Sequence, residues 1–388
     1  MNRTGTRGQR IGIIALTPER WSSRWQTRHQ LIARLSRRFP TAWVNPPEPA
    51  DGIWPSFMSG ERPWRRAEDV PELDVFTPGT WLPVLHRPGW AARQLHHARL
   101  AWARHHLRAR GVHRIAFSIW HSELGRMLEL RPRELVLYHV NDEYTYRPDA
   151  PPASPAERAL LARADATYFS SRALLERKGP LCHRATFLPN GVDFDAFSRP
   201  APEPDDLSRV PRPRIGYTGW VKKQLDWALL EHLAARRPDL QFVFVGDLSP
   251  HPGLEARIAP LRAFPNVHFL GGKSTTELVA YPQHFDVCAM PYAIDGYTRF
   301  IYPLKLHEYL ASGQPTIGTA IPALAEFGAH VAIGEGPEEW SAAIDHLLGP
   351  DARSPAARSA RQAVAQAHDW DTLASRLAED IEEVAGLP

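Results

Sequence analysis

A chain of 388 residues exceeds what one hydrophobic core serves, so two domains are expected. A composition of 43% hydrophobic and 23% charged residues is that of a globular protein and excludes a disordered or fibrous chain. Two cysteines, Cys182 and Cys288, exclude a disulfide framework, and the net charge of +3 hides a basic half: residues 1–200 hold 30 Lys and Arg against 19 Asp and Glu, the remainder 16 against 24.

The opening, residues 1–10, is polar and basic, with none of the apolar stretch of an export leader after it. No run approaches the ~18 apolar residues of a membrane span. The expectation is a cytoplasmic protein, either free or peripheral on the inner face of the membrane. Residues 10–16 (Arg-Ile-Gly-Ile-Ile-Ala-Leu) form a short apolar run, as a buried parallel strand does. A helix is predicted over about 24–38, with Leu31, Leu35 and Phe39 on one side, and a second strand over 41–45. Together they make a βαβ unit. Residues 46–90 are rich in Pro and Trp and read as long loops with short strands. A basic helix follows over 90–110, carrying Arg93, His97, Arg104 and Arg108 with Arg99 and Arg110 nearby. Strands over 114–120, 134–140, 164–170 and 186–190 complete a first domain, 1–198.

Residues 199–213 hold Pro200, Pro202, Pro204, Pro211 and Pro213, which is linker composition. A second α/β unit spans 214–370. Its strands are expected over 214–219, 241–246, 267–270, 286–291 and 315–319, and its helices over 226–236, 274–281 and 304–312. An amphipathic helix over 371–385 ends the pattern. The fold class is α/β, with two Rossmann-like, doubly wound domains. Ligands of such sheets bind beyond the carboxyl ends of the strands.

The richest stretch runs from Asp286 to Gly313. A strand ends at Pro291, a polar loop follows, and Pro303 opens a helix carrying Lys305 and Glu308. The N-terminus of that helix offers free N–H groups and a positive dipole end, which suit a diphosphate. Lys305 adds a full charge, and Glu308 can accept two hydrogen bonds from a ribose diol.

The pattern Pro303-x-Lys305-x-x-Glu308-Tyr309-x-Ala311-x-Gly313 followed by Pro315-Thr316 resembles the donor site of glycosyltransferase family 4 and related GT-B enzymes. Ile215-Gly216-Tyr217-Thr218-Gly219 is similar to the opening strand and glycine turn of their donor domain. Asn266-Val267-His268-Phe269-Leu270-Gly271 is similar to the strand before the nucleobase pocket, and Asn190-Gly191-Val192-Asp193 to the element closing the acceptor domain. Tyr138-His139-Val140-Asn141-Asp142-Glu143-Tyr144, Arg28-His29-Gln30 and Asn45-Pro46-Pro47 resemble a polysaccharide-building subset. The resemblance implies a GT-B fold, two domains facing a cleft, and sugar transfer from a nucleotide sugar, UDP-linked, to a glycan or lipid-linked glycan. It implies no cofactor beyond that co-substrate and no metal, and the helix 371–388 packing back on the first domain. Donor-binding residues would be Gly219, Lys222, Lys223, Gly271, Tyr302, Lys305 and Glu308. Retention and inversion at the sugar carbon are both left open; for an inverting transfer Asp142 would take the acceptor's proton, with His29 and His121 as rivals and Arg28 and Glu143 beside it. Two departures stand out. Phe300 occupies the place of the family's first carboxylate, for which Asp295 or the backbone of residues 298–300 would substitute, and Trp220 the place of its usual Arg.

Blander readings accompany these. Lys305 and Glu308 are spaced as a surface ion pair, Asp142 as a turn cap, and Tyr302 as a packing residue. The basic helix, with Trp54, Phe57, Trp64, Trp81, Trp90 and Trp102 nearby in sequence, is either a solvated face or an anionic-membrane contact. A non-catalytic binding module and a sugar-nucleotide epimerase are the alternative functions. No nucleic-acid-binding pattern is present.

Overall fold

Six consecutive buried residues, β1 (Ile11–Leu16), form the strand around which the first sheet is built. The computed structural model describes residues 10–46, 64–68, 70–77, 89–125, 128, 130–145, 147 and 150–387. The described residues divide into two units. One takes residues up to Leu188 together with those from Leu373 onward; the other runs from Pro189 to Thr372.

In the first unit β1 is joined by β2 (Thr41–Val44), β3 (Trp64–Arg66), β4 (Leu73–Phe76), β5 (Arg114–Ile119), β6 (Leu135–Val140), β7 (Ala166–Phe169) and β8 (Ala185–Phe187). Their order is β3-β4-β2-β1-β5-β6-β7-β8, parallel except for β3 against β4. The chain runs outward from β1 in one direction and from β5 in the other, so the switch point lies between β1 and β5. The helix expected from residue 24 starts at Thr27, because Gln26 is extended and shares a reciprocal capping arrangement with His29. The helix Gly89–Ala109 packs through Leu100, Ala103 and Leu107.

The helix Trp370–Val384 buries Leu373, Leu377 and Ile381, each worth roughly 1.5–3 kcal/mol. In the first unit the Tyr168 hydroxyl donates to Asp380 at 2.6 Å, and Arg184 donates to Asp380 and Glu383.

The second sheet contains β9 (Arg214–Thr218), β10 (Gln241–Val245), β11 (Val267–Phe269), β12 (Val287–Met290), β13 (Thr316–Thr319) and β14 (Ala332–Gly334). All are parallel, in the order β11-β10-β9-β12-β13-β14, with the switch point between β9 and β12. Residues 199–213 depart from the expected linker. They lie within the second unit and pack on it: the His284 ring meets the Ala201 carbonyl at 2.9 Å, Glu203 pairs with Arg214, and Asp206 pairs with Lys273 at 2.7 Å. Proline density there reports irregular backbone; the side chains supply the packing.

Candidate active site

In the second unit the carboxyl end of β9 turns at Gly219, whose φ of +94° suits glycine. Its N–H donates to the Val245 carbonyl at 2.8 Å, and a Cβ on neighbouring Gly246 would lie 2.1 Å from the Gly219 oxygen. The two strand ends therefore close tightly and clear the space above. Lys305 occupies that space. Its Nζ lies 3.0 Å from where a Gly219 Cβ would sit and 4.8 Å from the centre of the Tyr217 ring.

Lys305 stands in the first turn of the helix Leu304–Ser312, with Pro303 as its cap residue and no side-chain cap. Its first N–H groups are therefore among the orphan donors of a helix start. Glu308 follows one turn later on the same side. Burial raises its pKa and the Lys305 charge opposes that. One cation, a helix N-terminus and one carboxylate thus meet at the switch point, which is what a diphosphate with an attached diol requires.

Two further residues hold this helix start, and one was expected elsewhere. Tyr302 is 4% exposed, and its hydroxyl bonds the His307 ring at 2.8 Å. Its carbonyl accepts from the Asn190 side chain at 2.6 Å. Tyr302 is therefore a packing residue, a correction to its expected donor contact. Asn190, expected to close the acceptor domain, instead lies in the second unit and ties down the loop before Pro303. Phe300 is buried, and Asp295 accepts from the N–H groups of Tyr297 and Thr298 at 2.8 and 2.7 Å. Asp295 thereby caps its own turn and does not replace the missing carboxylate. Gly271 has φ +72° with open space around it, so its need for glycine is conformational. Lys222 and Lys223 lie on the loop leaving Gly219; Lys223 is exposed.

In the first unit, three strand ends contribute. Glu19 follows β1, His121 follows β5, and Asp142 and Tyr144 follow β6. Arg28 pairs with Glu19 and donates to Gln26 Oε1 at 2.6 Å. Asp142 is close enough to act electrostatically on Glu19, Arg28 and Tyr144. The His121 and Tyr144 rings are 4.8 Å apart. Arg28 and Asp142 thus share one electrostatic neighbourhood, and His121 lies beside Tyr144. Glu19 and Tyr144 were not among the expected site residues. The signal for Glu19 was its place three residues after the first strand, beside the switch point.

Two expected residues fall outside this group. His29 is fully buried: Gln26 N–H donates to its Nδ1 at 3.2 Å, so its Nε2 carries the proton and donates to the Arg20 carbonyl at 3.1 Å. Burial lowers its pKa to about 4. With both nitrogens engaged it caps a helix and cannot serve as a base, which corrects its catalytic assignment. Glu143 is also buried, paired with Lys178 at 2.9 Å and Arg177 at 3.1 Å, while Lys178 also meets Glu157 at 2.8 Å. It anchors the turn that presents Asp142 and does not face an acceptor.

The basic helix is likewise altered. Arg104 is buried in a two-pronged pair with Glu134, and Arg110 pairs with Asp74 at 2.6 Å and with Glu72. Arg99 is buried too. Arg93 and Arg108 remain exposed, with Trp90 at 65%. Trp64 stacks on His106 at 3.9 Å, and Trp54, Phe57 and Trp81 lie outside the described residues.

Residues 212–349 match the family described as glycosyl transferases group 1. Over 97% of the chain, the structure superposes on a sucrose-phosphate synthase from Thermosynechococcus elongatus with TM-score 0.70, 15% identity and 100% of that chain covered. The chain has the GT-B glycosyltransferase fold. The Anabaena protein Alr3699/HepE, solved in complex with UDP and glucose, shares this GT-B architecture with TM-score 0.63, 16% identity, and 97% and 100% of the two chains covered. Among curated proteins the GT-B chain is similar to TuaH of Bacillus subtilis (strain 168), a glycosyltransferase provisionally assigned to teichuronic acid biosynthesis. The two are 28% identical over 228 residues, 56% of this chain and 57% of TuaH. The match spans a little over half of that relative. Within this GT-B chain the Lys305–Glu308 helix lies inside the family-matched segment and the Glu19–Asp142 group outside it.

Proposed function

We propose that the chain transfers a sugar from a UDP-linked donor to a glycan or lipid-linked glycan acceptor, in the building of a surface polysaccharide. The observation that carries this is Lys305: its ammonium group stands over Gly219 at a helix N-terminus, one turn before Glu308. In that place it would neutralise charge on the departing diphosphate, a role a metal ion otherwise fills. Glu308 would bind the ribose diol. The first unit would bind the acceptor through Arg28, His121 and Asp142, and a carboxylate of that group would take the proton of the attacking hydroxyl. HepE, solved with UDP and glucose, and TuaH, assigned to teichuronic acid, support the donor and acceptor classes.

No helix among the described residues is long and apolar enough to cross a membrane. The proposed setting is the cytoplasmic face of a membrane, where lipid-linked acceptors are displayed, with Trp90, Arg93 and Arg108 as the contact.

The test is release of UDP from UDP-glucose, UDP-galactose and UDP-glucuronate, alongside the thermal shift each produces. Release that Lys305→Ala abolishes is the expected result. A second reading rests on Phe300, buried where the family places a carboxylate: a module that binds nucleotide sugars without turning them over. Tight binding with no release by any of the three donors would establish that reading instead.

A further inference from the structure

In the second unit the Lys305 ammonium rests on an aromatic ring. Its Nζ stands 4.8 Å from the centre of the Tyr217 ring. The same Nζ and the neighbouring Cε lie 3.0 and 3.1 Å from where a Gly219 Cβ would sit, so a side chain at 219 would displace them. The buried Tyr292 hydroxyl feels the Lys305 charge, and Glu308 supplies the opposing charge that Lys305 meets.

The ring beneath Lys305 is fixed at both ends. Its Cα belongs to β9, and its hydroxyl donates across the turn to the Trp220 carbonyl at 2.8 Å. Burial, with Glu308 adding to it, pushes the phenol up, so the hydroxyl keeps the proton it donates. The helix that carries Lys305 is pinned to the same strand end. Tyr309, one turn after Lys305 and on the same side, accepts from the Thr218 N–H at 2.8 Å. At 1% exposed, Tyr217 has no surface for a ligand and acts through the cation above it.

We propose that Tyr217 is a positioning residue for the donor's diphosphate: its ring holds the Lys305 ammonium over the Gly219 turn, and its hydroxyl holds the ring. This rests on the donor reading above. A lysine side chain is flexible and its ammonium is a point charge, so a binding site built on it needs something to hold it in place. A carboxylate at that spot would hold the cation but cancel its charge and repel a phosphate. A ring face attracts the cation and leaves its whole charge for the ligand.

The experiment uses the full chain and two probes, UDP and uridine, with affinities measured by calorimetry and by ligand-observed NMR. Tyr217→Leu is expected to weaken UDP about 5- to 30-fold, the equivalent of a partly desolvated cation–ring contact. Uridine, which lacks the phosphates, should bind within twofold of its original affinity. Tyr217→Phe, which keeps the ring, should recover most of the UDP affinity. In the Lys305→Ala background Tyr217→Leu should cost nothing further, because the ring acts only through the ammonium. An independent check needs no variant of Tyr217. The ε-methylene protons of Lys305, identified by their loss in Lys305→Ala, should resonate upfield of those of the exposed Lys223, because the ring current of Tyr217 acts on them.

UDP binding by Tyr217→Leu within twofold of the unmodified protein overturns the assignment and leaves the donor reading intact. So does an equal loss of UDP and uridine, or an equal loss with and without Lys305, since the ring would then serve the fold alone. If Tyr217→Leu does not fold, Lys305 methylene signals that coincide with those of Lys223 overturn it. Absence of UDP binding by the unmodified protein overturns the donor reading, and this assignment with it.

Discussion

The two sheets share a plan and differ in how their sites are written. Each is a parallel sheet with a switch point, β1/β5 in the first unit and β9/β12 in the second. In the second unit the candidate site is largely one helix start, with Lys305 and Glu308 three residues apart. In the first it is gathered from Glu19, Arg28, His121, Asp142 and Tyr144, spread over 126 positions of chain from three strand ends and the first helix. The difference follows from the ligands each would hold. A diphosphate is met by backbone N–H groups and one cation, which a single helix end supplies. A sugar hydroxyl needs a donor and an acceptor converging from different directions, which separate strand ends supply.

The comparison can be broken at several points. The largest effect should come from Lys178→Met, which leaves Glu143 and Glu157 buried without their shared cation. Breaking a buried pair costs about 3–5 kcal/mol. Urea unfolding should show that loss in the first unit, while UDP still stabilises the second. An equal loss of UDP stabilisation would show that the two sites do not rest on separate supports.

Next is Lys305→Ala, expected to slow UDP release by about 10²- to 10³-fold, as removal of one charge-stabilising group does. A rate within a few-fold of the original would remove Lys305 from the site.

Acid should distinguish the units as well. His29 has a folded pKa lowered to about 4, so the unfolded chain binds the extra proton first. Its contribution to stability is full above pH 6.5 and is lost as the pH falls towards 4, by about 3 kcal/mol. His96 and His139, also lowered by burial, add to the same slope in the first unit. His29→Gln should flatten the fall of stability between pH 6.5 and 4; an unchanged slope would mean that His29 is not held neutral.

A smaller effect, about tenfold or 1.4 kcal/mol, is expected for UDP affinity in Glu308→Gln, which keeps one acceptor oxygen and loses the charge. Equal affinities would argue against a diol contact. The smallest concerns vesicles containing phosphatidylserine. Arg108→Gln should weaken their binding by about 1 kcal/mol, measured by sedimentation at low salt. No binding by the unmodified chain would remove the membrane contact.

Much of this was legible in advance for local reasons. The strands are short apolar runs, and the helix Leu304–Ser312 is bounded by Pro303 and Gly313, whose φ of +75° marks a helix end. Lys305 and Glu308 were readable because their spacing sets their shared face. The errors concern side chains whose partners the local pattern does not reveal, whether near or far along the chain. His29 looked available until Arg20 took its Nε2, Glu143 until Lys178 reached it, and Arg104 until Glu134 did. Glu19 was overlooked because its meaning depends on Asp142, more than 120 residues away. Tyr302 was misread because its partner His307 sits within the same motif, and the motif alone does not say which of its side chains faces inward.

The helix Trp370–Val384 bears on the order in which the protein is made. The second unit has all its residues once Thr372 has been synthesised. The first, though begun earlier, lacks Leu373, Leu377 and Ile381, and the Asp380 partner of Tyr168, until the chain has grown past them. The usual sequence, in which the N-terminal domain folds first as it leaves the ribosome, is therefore reversed at its last step. The early-made unit keeps the apolar face that Leu373, Leu377 and Ile381 cover exposed until that helix has been made.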